Sequence, residues 1–102
     1  MTRPVHESWV IALHDALCGM PDVLVGQLVP VAGTYELVLT TRESPPPGEL
    51  VAALQDRLVG LLRREDSPIG SWHFYPPVDD GSRELFARLE WANAVVLHEF
   101  VD

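Results

Sequence analysis

Apolar side chains recur at helical spacing near the start of the chain. Trp9, Leu13 and Leu17 fall on one stripe of a helical projection of residues 6–18. Gly19 follows this stripe, and glycine tolerates the left-handed backbone conformation that often ends a helix. The pattern therefore predicts a first helix over residues 6–18.

Two runs rich in β-branched residues come next, at residues 23–31 and 34–41. Ala32 and Gly33 separate them, and such a short connection is typical of a β-hairpin. The apolar positions of the first run are nearly continuous, which predicts a central strand. Pro30 has no N–H to donate and is expected near an edge or a bulge.

The most regular helical pattern lies at residues 49–64. Leu50, Leu54 and Leu58 mark one face, charged residues occupy the other, and arginines near the C-terminal end suit the helix dipole. Three consecutive prolines at residues 45–47 precede this segment and cannot lie inside a helix or a central strand. We therefore expect a stiff connection that leads into a second helix.

The last third of the chain predicts a strand at residues 71–75, a turn at 78–81 and a final strand at 95–101. Between the last two, residues 82–92 fit both the helical and the strand period. Helix propensity and an N-cap at Ser82 favour a third helix over residues 82–92. Asn93 is then expected to end it in the left-handed backbone conformation. The expected order is α-β-β-α-β-α-β, or α-β-β-α-β-β-β if this segment forms a hairpin.

Both orders predict the same class of fold. A chain of 102 residues with 47% apolar side chains can bury one core, which fits a single α+β domain over residues 1–102. We expect two layers, with the helices packed on one face of a mostly antiparallel sheet. Residues 1–4 are expected to be flexible.

Charge restricts the expected partners. Fifteen carboxylates face seven arginines, with no lysine, giving a formal net charge of -8 and a composition typical of a GC-rich bacterial genome. Such a surface repels nucleic-acid phosphates and anionic membranes, so we expect a basic or neutral protein partner, no nucleic acid and no membrane. The carboxylates are expected to cluster where that partner docks.

The compartment is predicted from what the sequence lacks. No apolar run approaches the length of a membrane span, and the first segment does not resemble a signal peptide. Cys18 has no second cysteine with which to form a disulfide. A cytoplasmic location is expected.

Common catalytic signatures are missing from the sequence. It contains no lysine for a Schiff base, no glycine-rich phosphate loop, no nucleophile elbow and no zinc-binding HExxH or CxxC motif. His14 and Cys18 are four residues apart and could present two metal ligands, but no second spaced pair completes a site. We therefore expect Cys18 to be a small buried residue and predict no catalytic residue, metal or cofactor.

Aromatic residues are concentrated near the C-terminus, where six of the eight occur in the final third. On a strand, Trp72 and Phe74 point one way, and His73 and Tyr75 point the other, so one pair should enter the core. If His98 lies opposite His73, two imidazoles and a phenol would share an exposed face, able to transfer protons or orient a ligand. The candidate ligand- or partner-binding residues are Trp72, His73, Tyr75, Asp79, Asp80, Trp91 and His98.

Three functions remain compatible with these features. The first is a noncatalytic acidic protein-binding module, such as an inhibitor, an immunity protein or an accessory subunit. The second is a small dimeric enzyme or ligand-binding protein with an aromatic and histidine pocket in the C-terminal third. The third is a homodimer that joins sheet edges at residues 95–97. The first needs the fewest assumptions and is favoured.

Overall fold

The computed structural model describes residues 7–20, 22–77 and 79–99, which contain three α-helices and four strands. The elements are α1 (Glu7–Cys18), β1 (Val23–Val31), β2 (Thr34–Thr41), α2 (Gly48–Leu62), β3 (Ile69–Tyr75), α3 (Asp80–Arg88), a short 3-10 turn (Trp91–Asn93) and β4 (Val95–Glu99). The order α-β-β-α-β-α-β and the α+β class are confirmed. Residues 1–4, expected to be flexible, and residues 100–101 of the expected last strand lie outside the described residues.

The third helix begins and ends differently from the sequence expectation. Asp79, and not Ser82, is its N-cap, because the Asp79 carboxylate accepts a hydrogen bond of 2.7 Å from the Ser82 N–H. Of the segment predicted as a turn, residues 79–81 thus form the N-cap and the start of α3, and residue 78 lies outside the described residues. Leu89 ends the helix in extended backbone, and Asn93 lies in the 3-10 turn rather than in a left-handed exit. The backbone N–H of Glu90 instead donates to the Pro30 carbonyl, 2.9 Å away, which draws the chain onto β1.

The four strands form one mixed sheet in the order β3-β2-β1-β4. β1 pairs antiparallel with both β2 and β4, so the expected central strand and mostly antiparallel sheet are confirmed. Ala32 and Gly33 both have positive φ, as a tight two-residue hairpin turn requires. β3 runs parallel to β2 because α2 carries the chain back to the other end of the sheet. Pro30 lies beyond the part of β1 that pairs with β4, which agrees with its expected position.

Apolar residues pack on both faces of the sheet. On one face, α1 and α2 cover the larger core cluster, which includes Leu13, Leu17, Leu28, Leu37, Leu39, Leu54 and Leu58. On the other face, Val29 and Val38 pack with Phe86 of α3. Successive strand residues point to opposite faces, so α3 lies opposite α1 and α2. The sequence predicted that all helices pack on one face of the sheet. This holds for α1 and α2, but α3 packs on the opposite face, because β1 and β2 are apolar on both sides.

A glycine in β1 allows α1 to approach the sheet closely. A Cβ atom at Gly26 would lie 2.5 Å from Leu17 Cδ1. Opposite Gly26, the pairing with β4 shifts register, and Leu97 is the extra residue of this bulge. The bulge turns both Leu97 and His98 toward α1. None of the described helices has the length and hydrophobicity needed to span a bilayer.

Candidate functional site

β3 presents different aromatic residues on its two faces. Trp72 and Phe74 pack against the larger core cluster under α2. His73 and Tyr75 point toward α3, and their rings lie 6.0 and 5.9 Å from the ring of Phe86. The predicted alternation is confirmed, with Trp72 and Phe74 as the pair that enters the core.

Three aromatic rings from β3, α3 and the 3-10 turn meet on the α3 side of the sheet. This aromatic cluster consists of Tyr75, Phe86 and Trp91. The Tyr75 and Phe86 rings are within 6° of parallel, and Trp91 meets both edge-on at centroid distances of 6.1 and 5.6 Å. The Trp91 indole N–H donates a hydrogen bond of 2.9 Å to the Phe86 carbonyl. Phe86 is buried, but 46% of Tyr75 and 37% of Trp91 remain exposed.

The aromatic cluster borders an open depression of about 580 Å³ in the sheet surface. Its described lining consists of Val25, Gln27, Thr40, Tyr75, Pro77, Phe86 and Trp91. Val96 pairs with Gln27 across β1 and β4, so it shares this face and extends the apolar surface, with 56% of the residue exposed. This face of the sheet is therefore only partly covered by α3.

The described lining of the depression contains no charged residue, but two carboxylates lie next to it. Glu90 directly precedes Trp91, and Glu99 pairs with Val25 and shares its face of the sheet. Within two positions of a lining residue the chain also carries Asp79, Glu84, Arg42 and Arg88. The Arg42 guanidinium lies 3.9 Å from the Asp22 carboxylate. The structure thus places two carboxylates, Glu90 and Glu99, beside an apolar centre.

Sequence reasoning missed a polar cluster beside this face, formed by Glu36, Ser71 and His73. The Ser71 hydroxyl lies 2.8 Å from Glu36 Oε2 and 2.9 Å from His73 Nε2, and the Ser71 backbone N–H donates to the same carboxylate oxygen. With the Ser71 hydroxyl donating to the carboxylate, His73 Nε2–H is placed to donate to Ser71 Oγ. His73 Nε2 also lies 3.4 Å from the same Glu36 oxygen. The cluster stabilises the register shift at the start of β3.

His98 lies away from the aromatic cluster. It is 9% exposed, and its ring faces His14 on α1 at a centroid distance of 6.0 Å. The expected juxtaposition of His98 and His73 is wrong, because β4 and β3 form opposite edges of the sheet. His98 Nε2 is buried and has no hydrogen-bond partner among the described residues.

His14 and Cys18 lie close together on α1. His14 Nδ1 lies 2.7 Å from the Leu97 carbonyl, and Cys18 Sγ lies 3.7 Å from His14 Nε2. Cys18 is exposed, which corrects the expectation of a small buried residue, because it lies on the outer side of α1. Within the described ranges, no group of three or more histidine, cysteine or acidic residues is placed to hold a metal ion.

The two predicted aspartates stabilise the first turn of α3. Hydrogen bonds from the Ser82 backbone N–H and then from its hydroxyl hold the pKa of Asp79 below its usual value. Asp80 lies 3.2 Å from the Arg83 guanidinium. Both carboxylates are solvent-exposed at the edge of the α3 face.

Six of the seven predicted residues thus lie on β3, at the start of α3 or in the following 3-10 turn, and His98 does not. The residues that sequence reasoning missed are Val25, Gln27 and Thr40, whose positions on the α3 face depend on strand pairing. Comparisons with models of known protein families, with curated proteins and with solved structures gave no match to this chain.

Proposed function

We propose that this chain is a noncatalytic acidic protein-binding module of the inhibitor, immunity or accessory-subunit type. The observation that carries this proposal is the aromatic cluster, whose Tyr75 and Trp91 rings are partly exposed on an incompletely covered sheet face. Tyrosine and tryptophan are enriched among the residues that dominate binding energy in protein interfaces. Each buries a large apolar area and keeps a polar group for hydrogen bonding.

Contacts within the chain support the rings of the aromatic cluster. Trp91 is fixed by its hydrogen bond to the Phe86 carbonyl, and Tyr75 stacks on the buried Phe86 ring. Restricting a side chain on binding costs free energy, and this cost is smaller for a side chain that is already held. The aromatic cluster therefore supports recognition of a partner by a preformed surface.

The rim around the depression supports a basic or neutral partner. Interfaces commonly have an apolar centre depleted of charge and a polar, solvent-accessible rim. Here Glu90 and Glu99 lie beside the apolar centre. Opposite charge on the partner would accelerate association through long-range attraction.

A ligand-binding protein or small enzyme is the second candidate. The depression of about 580 Å³ lies within the size range of small-molecule sites and has apolar walls. However, its described lining contains neither imidazole nor carboxylate, and Tyr75 supplies the only titratable side chain. This composition suits an apolar ligand better than proton transfer.

Comparative capture from a lysate of the source cells tests the proposed function. The bait is the tagged chain, and the test variant carries Tyr75→Ala and Trp91→Ala. The matched control carries Ile11→Ala and Val59→Ala, two exposed apolar residues on the helices of the opposite face. We expect one protein to be captured by the wild type and the control and to be lost with the test variant.

Circular dichroism and thermal unfolding of each bait establish that the variants are folded. If folded test and control variants capture the same proteins as the wild type, the aromatic cluster is not the binding surface. A small molecule that elutes from the wild type and not from the test variant, without any protein, would instead support the second candidate.

A further inference from the structure

A groove follows the outer edge of β3. Residues 72–74 form its floor, the connection before α2 contributes Pro45 and Pro46 to one wall, and Ser82 at the start of α3 contributes to the other. Its volume is about 360 Å³. Consecutive strand residues point to opposite faces of the sheet. A groove that contacts residues 72–74 together therefore reaches both faces and lies over the outer edge of β3.

The edge of β3 is suited to pairing with another strand. β3 is the terminal strand of the sheet, so half of its backbone N–H and C=O groups point away from β2. Proteins commonly protect such edges with lysine, proline, bulges or short length. β3 has seven residues without proline, arginine or carboxylate, and its pairing with β2 is regular from Ser71 to Tyr75.

The other edge of the sheet is better protected. The described part of β4 has five residues, ends in Glu99 and carries the bulge at Leu97. α1 also packs against β4. Between the two edges, β3 is therefore the more accessible template for strand addition.

The chain segments that line the groove carry exposed acidic residues. Within two positions of its lining residues the chain carries the carboxylates Glu43, Glu49, Asp80 and Glu84 and a single arginine, Arg83. The Arg83 guanidinium already lies 3.2 Å from Asp80. This imbalance favours a cationic occupant and disfavours a second copy of the chain, whose net charge is also -8.

We infer that β3 binds an extended, positively charged peptide segment of the partner as a fifth strand. This inference rests on the proposed protein-binding function and specifies how the partner is recognised. Backbone hydrogen bonds to β3 would supply affinity, and alternate side chains would supply specificity. One set would lie between Trp72 and Pro46, and the other would lie near His73 and Ser82.

Selection from a displayed library of short random linear peptides tests this inference. We expect the selected peptides to be rich in lysine or arginine at alternate positions. The strongest binder is then synthesised with blocked termini, in one unmodified form and in two forms N-methylated at the odd or at the even residues. N-methylation preserves charge, and only one of the two alternate sets of N–H groups can face β3, so at least one methylated form should bind roughly tenfold or more weakly.

Hydrogen exchange and charge variants locate the bound peptide. Amides within residues 69–75 should exchange more slowly in the complex, whereas those within residues 95–99 should not. Replacing Glu43 and Glu49 with glutamine should weaken binding about threefold or more at low salt. The matched control, Asp15→Asn with Glu65→Gln, removes two carboxylates elsewhere and should leave affinity nearly unchanged.

Several results would overturn the inference. These are a library without binders, selection of neutral or acidic peptides, unchanged binding of both N-methylated forms, or a dimer of the chain in which β3 amides are already protected. Peptides that bind through the aromatic cluster, lose affinity with Trp91→Ala and leave β3 exchange unchanged would also overturn it, while the proposed function would stand. Failure of the proposed function is detected separately, by the capture experiment.

Discussion

Single residues fix the start of α3, the position of Trp91 and the close approach of α1 to the sheet. Asp79 caps α3 through the Ser82 N–H, and Trp91 is held by the Phe86 carbonyl. Gly26 leaves space for Leu17 of α1 on the opposite face. Each contact depends on the identity of one side chain, so substitution at that position tests it directly.

The cap at Asp79 predicts a pH-dependent contribution to stability. The lowered pKa of Asp79 means that its charged form is favoured in the folded protein. Its contribution is therefore complete above the unfolded pKa of about 3.9 and is lost as the pH falls through the lower folded value. Asp79→Ala should lower the free energy of unfolding at neutral pH, and the difference from the wild type should shrink in acid.

Asp79→Asn is the matched control, because asparagine caps helices well and does not titrate. It should retain stability near that of the wild type at neutral pH and lack this acid-dependent loss. Urea unfolding across the acid range measures both variants. A difference between wild type and Asp79→Ala that stays constant through the acid range would contradict this account of the cap.

Gly26 predicts a second, steric effect. A methyl group at this position would overlap Leu17, which is fully buried, so Gly26→Ala should destabilise the fold by about 1–3 kcal/mol. At Gly60 of α2 an added methyl group would point into open space, so Gly60→Ala should stabilise the chain by about 0.5–1 kcal/mol. Urea unfolding compares the two, and equal effects would exclude a close approach at Gly26.

At the scale of elements, local patterns predicted most of the fold. The hairpin of β1 and β2 and the course of α2 follow from turn residues and leucine spacing, which are properties of neighbouring residues. Strand neighbours are nonlocal, so nothing in the segment around His98 indicated that β4 would pair with β1 and not with β3. The placement of α3 on the second face likewise depends on packing against Val29 and Val38.

Phe86 is the buried residue within α3, so Phe86→Ala is predicted to have a large effect. Phe86 contacts Val29 and Val38 and supports both exposed rings of the aromatic cluster. Its removal should cost about 3–5 kcal/mol, as for other buried phenylalanines. Denaturant unfolding measures the loss, and hydrogen exchange should show faster exchange within residues 80–88. Val59→Ala, at an exposed helix position, should change stability by less than about 0.5 kcal/mol.

At the scale of the whole molecule, the acidic surplus is distributed over several elements. Residues 7–22 hold three carboxylates and no arginine, residues 36–66 hold six carboxylates and four arginines, and residues 79–99 hold five carboxylates and two arginines. The surplus of carboxylates can be read directly from the sequence, whereas the apolar surface beside the aromatic cluster cannot. Val25 and Gln27 lie in β1 and Val96 lies in β4, and only the pairing of these two strands brings Val96 beside the depression that Trp91 lines. In the proposed complex, the aromatic cluster would hold the partner through its side chains, in addition to any backbone pairing along β3, and charge would set the rate of encounter.

The association and dissociation rates of the captured partner test this assignment most directly. They are measured for the wild type and for Tyr75→Ala with Trp91→Ala, at about 0.05 M and about 0.5 M NaCl. We predict that salt slows association of the wild type and that loss of the two rings mainly accelerates dissociation. Association that is unaffected by salt, together with dissociation that is unaffected by the loss of both rings, would contradict the account.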